Sequence, residues 1–191
     1  MPAAPAATSI EPADARLVYV RQGEFSVSSD QNVILSAILG SCVATCLFDP
    51  NRGIGGMNHI LLPDSVGDVT SEQMEGVNLM ELLINEMMKC GADKRNLQGK
   101  LFGGGRMLES SVDIGGANAA FARQFLADEG IPCIGESLGG DRGRRIRFWP
   151  VGGRARQHLL SRQETPKPAP RPERRRPAPQ PAPDNGDIEL F

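Results

Sequence analysis

Two apolar runs, VATCLF at 43–48 and IGGMNHILLP at 54–63, are separated by Asp49-Pro50-Asn51-Arg52-Gly53. Proline presets one turn dihedral, Asp and Asn bond their own backbone, and Gly adopts positive φ without steric cost. The pattern predicts a β-hairpin. A hairpin in mid-chain rules out a regularly alternating β-helix-β chain.

The neighbouring segments agree. RLVYVRQGEFSVSS, 16–29, reads as a strand bent at Gly23, and VILSAILGSC, 33–42, as a further extended run. From Ser71 to Cys90 the pattern turns helical. Thr70 and Gln73 have capping-box spacing, Leu79, Leu83 and Met87 recur at helical period, and Gly91 closes the end. LQGKLFGGG is a short strand entering a glycine cluster. Asn118–Glu129 is a second helix stopped by Gly130, and IPCIGES and RRIRFWP are strands. The expected fold class is α+β: a single layered domain of mainly antiparallel strands with at least two helices.

Composition sets the limits of that domain. Residues 1–15 are Ala/Pro-rich, and the stretch from Gln163 holds more than half of the 15 prolines around Arg174-Arg175-Arg176. Such segments bury too little apolar surface to fold, so 16–162 is the expected folded unit and 163–191 a disordered tail. The arginine run reads as solvated spacer charge. The apolar tip Ile188-Glu189-Leu190-Phe191 has the character of a docking peptide. A net charge of −2 gives no reason to expect nucleic acid as partner. No apolar run reaches the ~18–20 residues of a membrane span, and the N-terminal stretch lacks the basic start and apolar block of a secretory signal. A reducing cytoplasm with free thiols is expected. Four scattered cysteines and two histidines offer neither a zinc pattern nor a disulfide framework. The glycine clusters at 103–105 and 139–140 lack the residues of a phosphate loop, and read as close approach or positive φ.

Chemistry concentrates at LGSCVATC, 39–46. A cysteine nucleophile needs a base and donors for the oxyanion it creates. His59 is the histidine inside the hairpin. A four-residue loop at Asp49–Arg52 would set Cys42 directly opposite His59, with Cβ atoms ~4.5–5.5 Å apart. A five-residue loop would pair Cys42 with Ile60 instead. Gly40-Ser41 lets the chain turn so that backbone N–H groups of Ser41 and Cys42 converge beside the sulfur. Cys46, opposite Gly55 in the same register, reads as core, as do Cys90 and Cys133. Local sequence leaves Cys42 with two readings, nucleophile or buried structural cysteine.

The residues LGSCVATCLFDPNRGIGGMNHILLP resemble the CheD family, the chemoreceptor glutamine deamidases of bacterial chemotaxis. The likeness continues through NLMELLINEMMKCGADKRNLQGKLFGGGRM, DIGGANAAFARQFLADEGIPCIGESLGG and GRRIRFWPVGG, about 16–160, and covers neither tail. The resemblance implies hydrolysis of glutamine side-chain amides on the cytoplasmic helices of chemotaxis receptors. Cys42 is then the nucleophile and His59 its base. The third member falls on Ser36, where the family usually has Thr. The family also commonly has Asp where this chain has Ser137. It further implies a hairpin-borne site in a layered fold, no metal or cofactor, and a CheC-type phosphatase as a regulatory partner. Two rivals are a non-catalytic adaptor between receptor and phosphatase, and a different thiol hydrolase.

Overall fold

The computed structural model describes residues 14–62, 69–107 and 113–161, with side chains undescribed at 69–73. The expected terminal segments, the arginine run, the C-terminal tip and the Thr70/Gln73 capping box lie outside what is described.

Among the described residues, nine strands form two sheets. The first contains β1 (Arg16–Tyr19), β3 (Val33–Leu39), β8 (Arg144–Trp149) and β9 (Arg154–Leu159), in that order. The second runs β2 (Phe25–Ser28), β5 (Ile54–Ile60), β4 (Val43–Asp49), β6 (Gln98–Gly103) and β7 (Cys133–Leu138). β1–β3 and β6–β7 pair parallel and the other pairs antiparallel. Helices α1 (Val69–Lys89) and α2 (Ile114–Asp128) cover the outer face of the second sheet. The class is α+β, as expected.

β4 is central, so both its faces are buried. Val43 and Leu47 point to Met80, Leu83, Met87, Ala122 and Leu126 on the helices. Ala44, Cys46 and Phe48 point to Leu35, Leu39, Ile146 and Phe148 of the first sheet. This two-sided burial explains why its sequence is a nearly continuous apolar run rather than an alternating one.

The structure differs from the sequence expectations at several elements. The strand bent at Gly23 is two strands in different sheets, and Gly23 (φ 77°) sits in the turn between them. α2 starts four residues before Asn118, because the Asp113 carboxylate caps it by accepting from the Gly116 N–H. β9 was not anticipated; its edge position leaves it mostly exposed and without apolar alternation.

The β4–β5 hairpin forms with a four-residue loop, but at Pro50–Gly53. Asp49 pairs with Ile54 inside the ladder. Its carboxylate accepts from Asn51 N at 2.9 Å, Arg52 N at 3.2 Å and Asp93 N at 2.8 Å. Gly53 takes φ 64° at the end of the loop. Asp49 therefore stays in the strand as the loop's anchor, and the cross-strand index sum rises by two.

Candidate active site

The register change decides where the expected pair lies. His59 is opposite Ala44, not Cys42, and Met57 rather than Gly55 is opposite Cys46. A change of two preserves the face, so His59 stays on the side of the second sheet that carries Ala44 and Cys46. Cys42 precedes β4 by one residue and packs against the same inter-sheet cluster. In a regular ladder such a diagonal separation is roughly 7–8 Å. The structure accordingly forms no thiol–imidazole hydrogen bond: His59 Nε2 is buried and has no partner.

The other side of the imidazole is fully specified. His59 Nδ1 lies 3.1 Å from the Val20 carbonyl oxygen. A carbonyl can only accept, so Nδ1 carries the proton and Nε2 keeps its lone pair. The turn that begins at Val20 also grips the histidine backbone. Gly23 N–H donates to the His59 carbonyl at 2.9 Å, and His59 N–H to the Glu24 carbonyl at 3.0 Å. Burial pushes the imidazole's pKa down, against the Val20 bond and the Glu24 charge, so the neutral ring is favoured.

Val20 is the group that sequence reasoning missed. A backbone carbonyl leaves no residue-type signal. Ser36 reaches the site only through it: the Ser36 carbonyl accepts from Val20 N–H at 2.8 Å. The Ser36 hydroxyl instead donates to the Ile146 carbonyl at 2.8 Å and is fully buried. Alternation along β3 puts that side chain opposite Leu35 and Ala37, which line the inter-sheet core.

The cysteine loop is held by its carbonyls. Gly40 O accepts from Gly105 N–H and Cys42 O from Gly104 N–H, both at 2.8 Å, and Ser41 O from Asn118 Nδ2 at 3.0 Å. This close approach requires glycine. A Cβ on Gly103 (φ 117°) would stand 2.1 Å from Cys42 O, and one on Gly115 would stand 2.4 Å from Gly105 O. The expectation for the 103–105 cluster is met.

Burial raises the Cys42 thiol to about 11, with its own backbone N–H acting in the opposite direction. Cys46 is wholly buried, and desolvation raises it further despite Lys100. Cys46 is therefore core, as expected. Cys90 and Cys133 are exposed, which corrects their reading as core.

An open cavity of about 240 Å³ lies beside this loop, lined by Gly104, Arg106, Asp113, Arg123 and the turn Leu138–Gly140. Neither Cys42 nor His59 lines it. Among the described residues, no three His, Cys, Asp or Glu groups gather as a metal site, and no helix is long and apolar enough to cross a membrane.

The family model described as CheD chemotactic sensory transduction matches residues 61–158. A relative from Agrobacterium fabrum is 53% identical over 190 residues, covering 94% of this chain and 98% of its own. The chain belongs to the CheD family. That relative, one from Rhizobium leguminosarum bv. trifolii (56% over 154 residues, 79% of this chain and 84% of its own) and one from Caulobacter vibrioides (46% over 192 residues, 95% and 96%) all carry the name probable chemoreceptor glutamine deamidase CheD. The CheD family match begins after Cys42 and His59, so it does not bear on them. Among solved structures, a hypothetical protein of Bacillus licheniformis, YfiH, is similar at TM-score 0.43 and 13% identity, over 66% of this chain and 61% of its own.

Proposed function

We propose that this chain is a chemoreceptor glutamine deamidase, with Cys42 as nucleophile and His59 as general base. The observation that carries the reading is the His59 imidazole. Burial favours its neutral form, Nδ1 is fixed to the Val20 carbonyl, and Nε2 is buried without a partner on a residue that shares its sheet face with Ala44, in the cluster against which Cys42 packs.

His59 Nε2 takes the Cys42 proton as sulfur attacks the glutamine carbonyl carbon. The backbone N–H groups of Ser41 and Cys42 stabilise the oxyanion. On collapse the C–N bond breaks, and His59 returns its proton to the departing ammonia. Water then adds to the thioester with His59 as base, releasing glutamate and restoring the thiol. The Val20 carbonyl orients the imidazole, and Ser36 supports it through its own carbonyl rather than its hydroxyl. The partners are chemotaxis receptor helices in the cytoplasm, and a CheC-type phosphatase as regulator.

Mass spectrometry of a receptor cytoplasmic fragment tests the reading. Wild type converts specific glutamines to glutamate, and Cys42→Ala and His59→Ala reduce the rate at least about 10³-fold. Equal conversion by Cys42→Ala would sink the mechanism. No conversion by wild type, with receptor binding retained, would favour the adaptor. Amine incorporation or backbone cleavage would favour another thiol hydrolase.

A further inference from the structure

α2 carries a polar residue at a core position. Asn118 is fully buried, on the helix face that also presents Ala122 and Phe125. Its amide makes two bonds to different parts of the chain. Nδ2 donates to the Ser41 carbonyl at 3.0 Å, and Oδ1 accepts from Leu62 N–H at 2.7 Å. Ser41 directly precedes Cys42, and Leu62 lies three residues beyond His59. Rotating the amide by half a turn would set oxygen against oxygen and N–H against N–H. Only a group with a donor on one arm and an acceptor on the other satisfies both.

We infer that Asn118 is a positioning residue for the reaction: its side chain sets the distance between the Cys42 loop and the end of the strand that bears His59. This rests on the reading in which Cys42 attacks and His59 takes its proton. The start of α2 is built around that bridge. Gly115 lets the helix lie against the carbonyls of Gly104 and Gly105, whose N–H groups hold Cys42 and Gly40. Asparagine and glycine both weaken a helix intrinsically. Their joint presence in the first turns marks a local preference overridden for placement.

Asn118→Asp is the sharpest perturbation, being nearly isosteric. It keeps the acceptor toward Leu62. Protonated, it donates to Ser41 O; ionised, it sets a charge against that carbonyl. Burial raises the pKa of such a carboxyl, so the change falls at higher pH than in water. With a receptor fragment at pH 8, kcat should fall about ten- to a hundredfold with KM within about threefold, the scale of a misplaced reacting group. The variant-to-wild-type ratio should climb toward one as pH is lowered. Asn118→Ala should lose kcat similarly, with a ratio independent of pH. Iodoacetamide modification of the Cys42 peptide in Asn118→Asp should depart from wild type with the same inflection.

The inference is overturned if both variants keep kcat within threefold at every pH. It is also overturned if Asn118→Asp alone loses activity, which would be a field effect of the new charge. A loss equal to the unfolded fraction, read by circular dichroism at assay temperature, would reduce Asn118 to a structural role. Retained activity in Cys42→Ala would sink the reaction reading separately, and iodoacetamide modification would then decide whether Asn118 fixes the loop.

Discussion

In the free protein Cys42 should behave as a protonated thiol well above neutral pH. Its ordinary value near 9 is raised to about 11, chiefly by burial. At pH 7 about one molecule in ten thousand then carries the thiolate, an ionisation cost of about 5 kcal/mol. The imidazole does not offset this in the resting structure, because Nε2 makes no bond to the sulfur. Burial also disfavours the imidazolium that a resting ion pair would require.

The perturbation is pH, and the assay is the iodoacetamide modification rate of the Cys42 peptide, separated by mass spectrometry from those of Cys46, Cys90 and Cys133. Thiolate is the reacting species, so the rate should rise about tenfold per pH unit, roughly a hundredfold from pH 7 to 9. His59→Ala should follow the same line, since Nε2 makes no bond to the sulfur in the free protein. A plateau below pH 8 that disappears in His59→Ala would refute the reasoning. It would mean that a thiolate–imidazolium pair exists before substrate arrives.

Four further outcomes follow from the same contacts. A thiol raised from 9 to about 11 makes stability fully present below pH 9 and lost as pH rises through 11; this is about 3 kcal/mol, and alkaline melting of Cys42→Ala should lack that part. Ser36→Ala removes a buried bond to Ile146 O and should cost about 1–2 kcal/mol in denaturant titration; kcat should hold within about threefold, since the hydroxyl does not touch His59. In Gly103→Ala, a β-carbon 2.1 Å from Cys42 O at φ 117° should cost about 2–5 kcal/mol and abolish turnover; wild-type kcat would discredit the glycine argument. Arg144 is 3% exposed, bonds the carbonyls of Ser137 and Gly139, and leaves Nε unpartnered, so Ser137→Asp should raise the melting temperature by supplying a carboxylate worth about 1–2 kcal/mol.

That arginine is also what the departure at Ser137 touches. Ser137 Oγ lies 3.3 Å from the Arg144 guanidinium, where the family's usual Asp would bring a charge. Other features divide by kind of signal. The hairpin, both helices and the break in the chain at Gly40–Cys42 are legible because turn residues, helical periodicity and Gly-Ser are local signals. The hairpin register was off by two because the Asp49 carboxylate takes three backbone N–H groups, one of them from Asp93, 44 residues away. Val20 was invisible because its contribution is a carbonyl. Asn118 did leave a trace, a polar residue in register with Ala122 and Phe125, but its partners lie 77 and 56 residues away in sequence.

The candidate site's place in the fold follows from connectivity. The chain passes from the first sheet to the second between β1 and β2, at Val20–Glu24, and again between β3 and β4, at Gly40–Cys42. β1 and β3 are parallel neighbours, so both passages leave the first sheet at the same end. Residues in such passages are released from their ladders, and their backbone groups must find other partners. At the first passage those partners are on His59; at the second they are Gly104, Gly105 and Asn118. The imidazole and the thiol are therefore both held by backbone that the sheets have finished using. Ser36 links the passages, since its carbonyl holds Val20 while its strand runs on to the loop of Cys42. Moving Ser36 along the strand direction would disturb both groups at once, whereas deleting its hydroxyl would disturb neither.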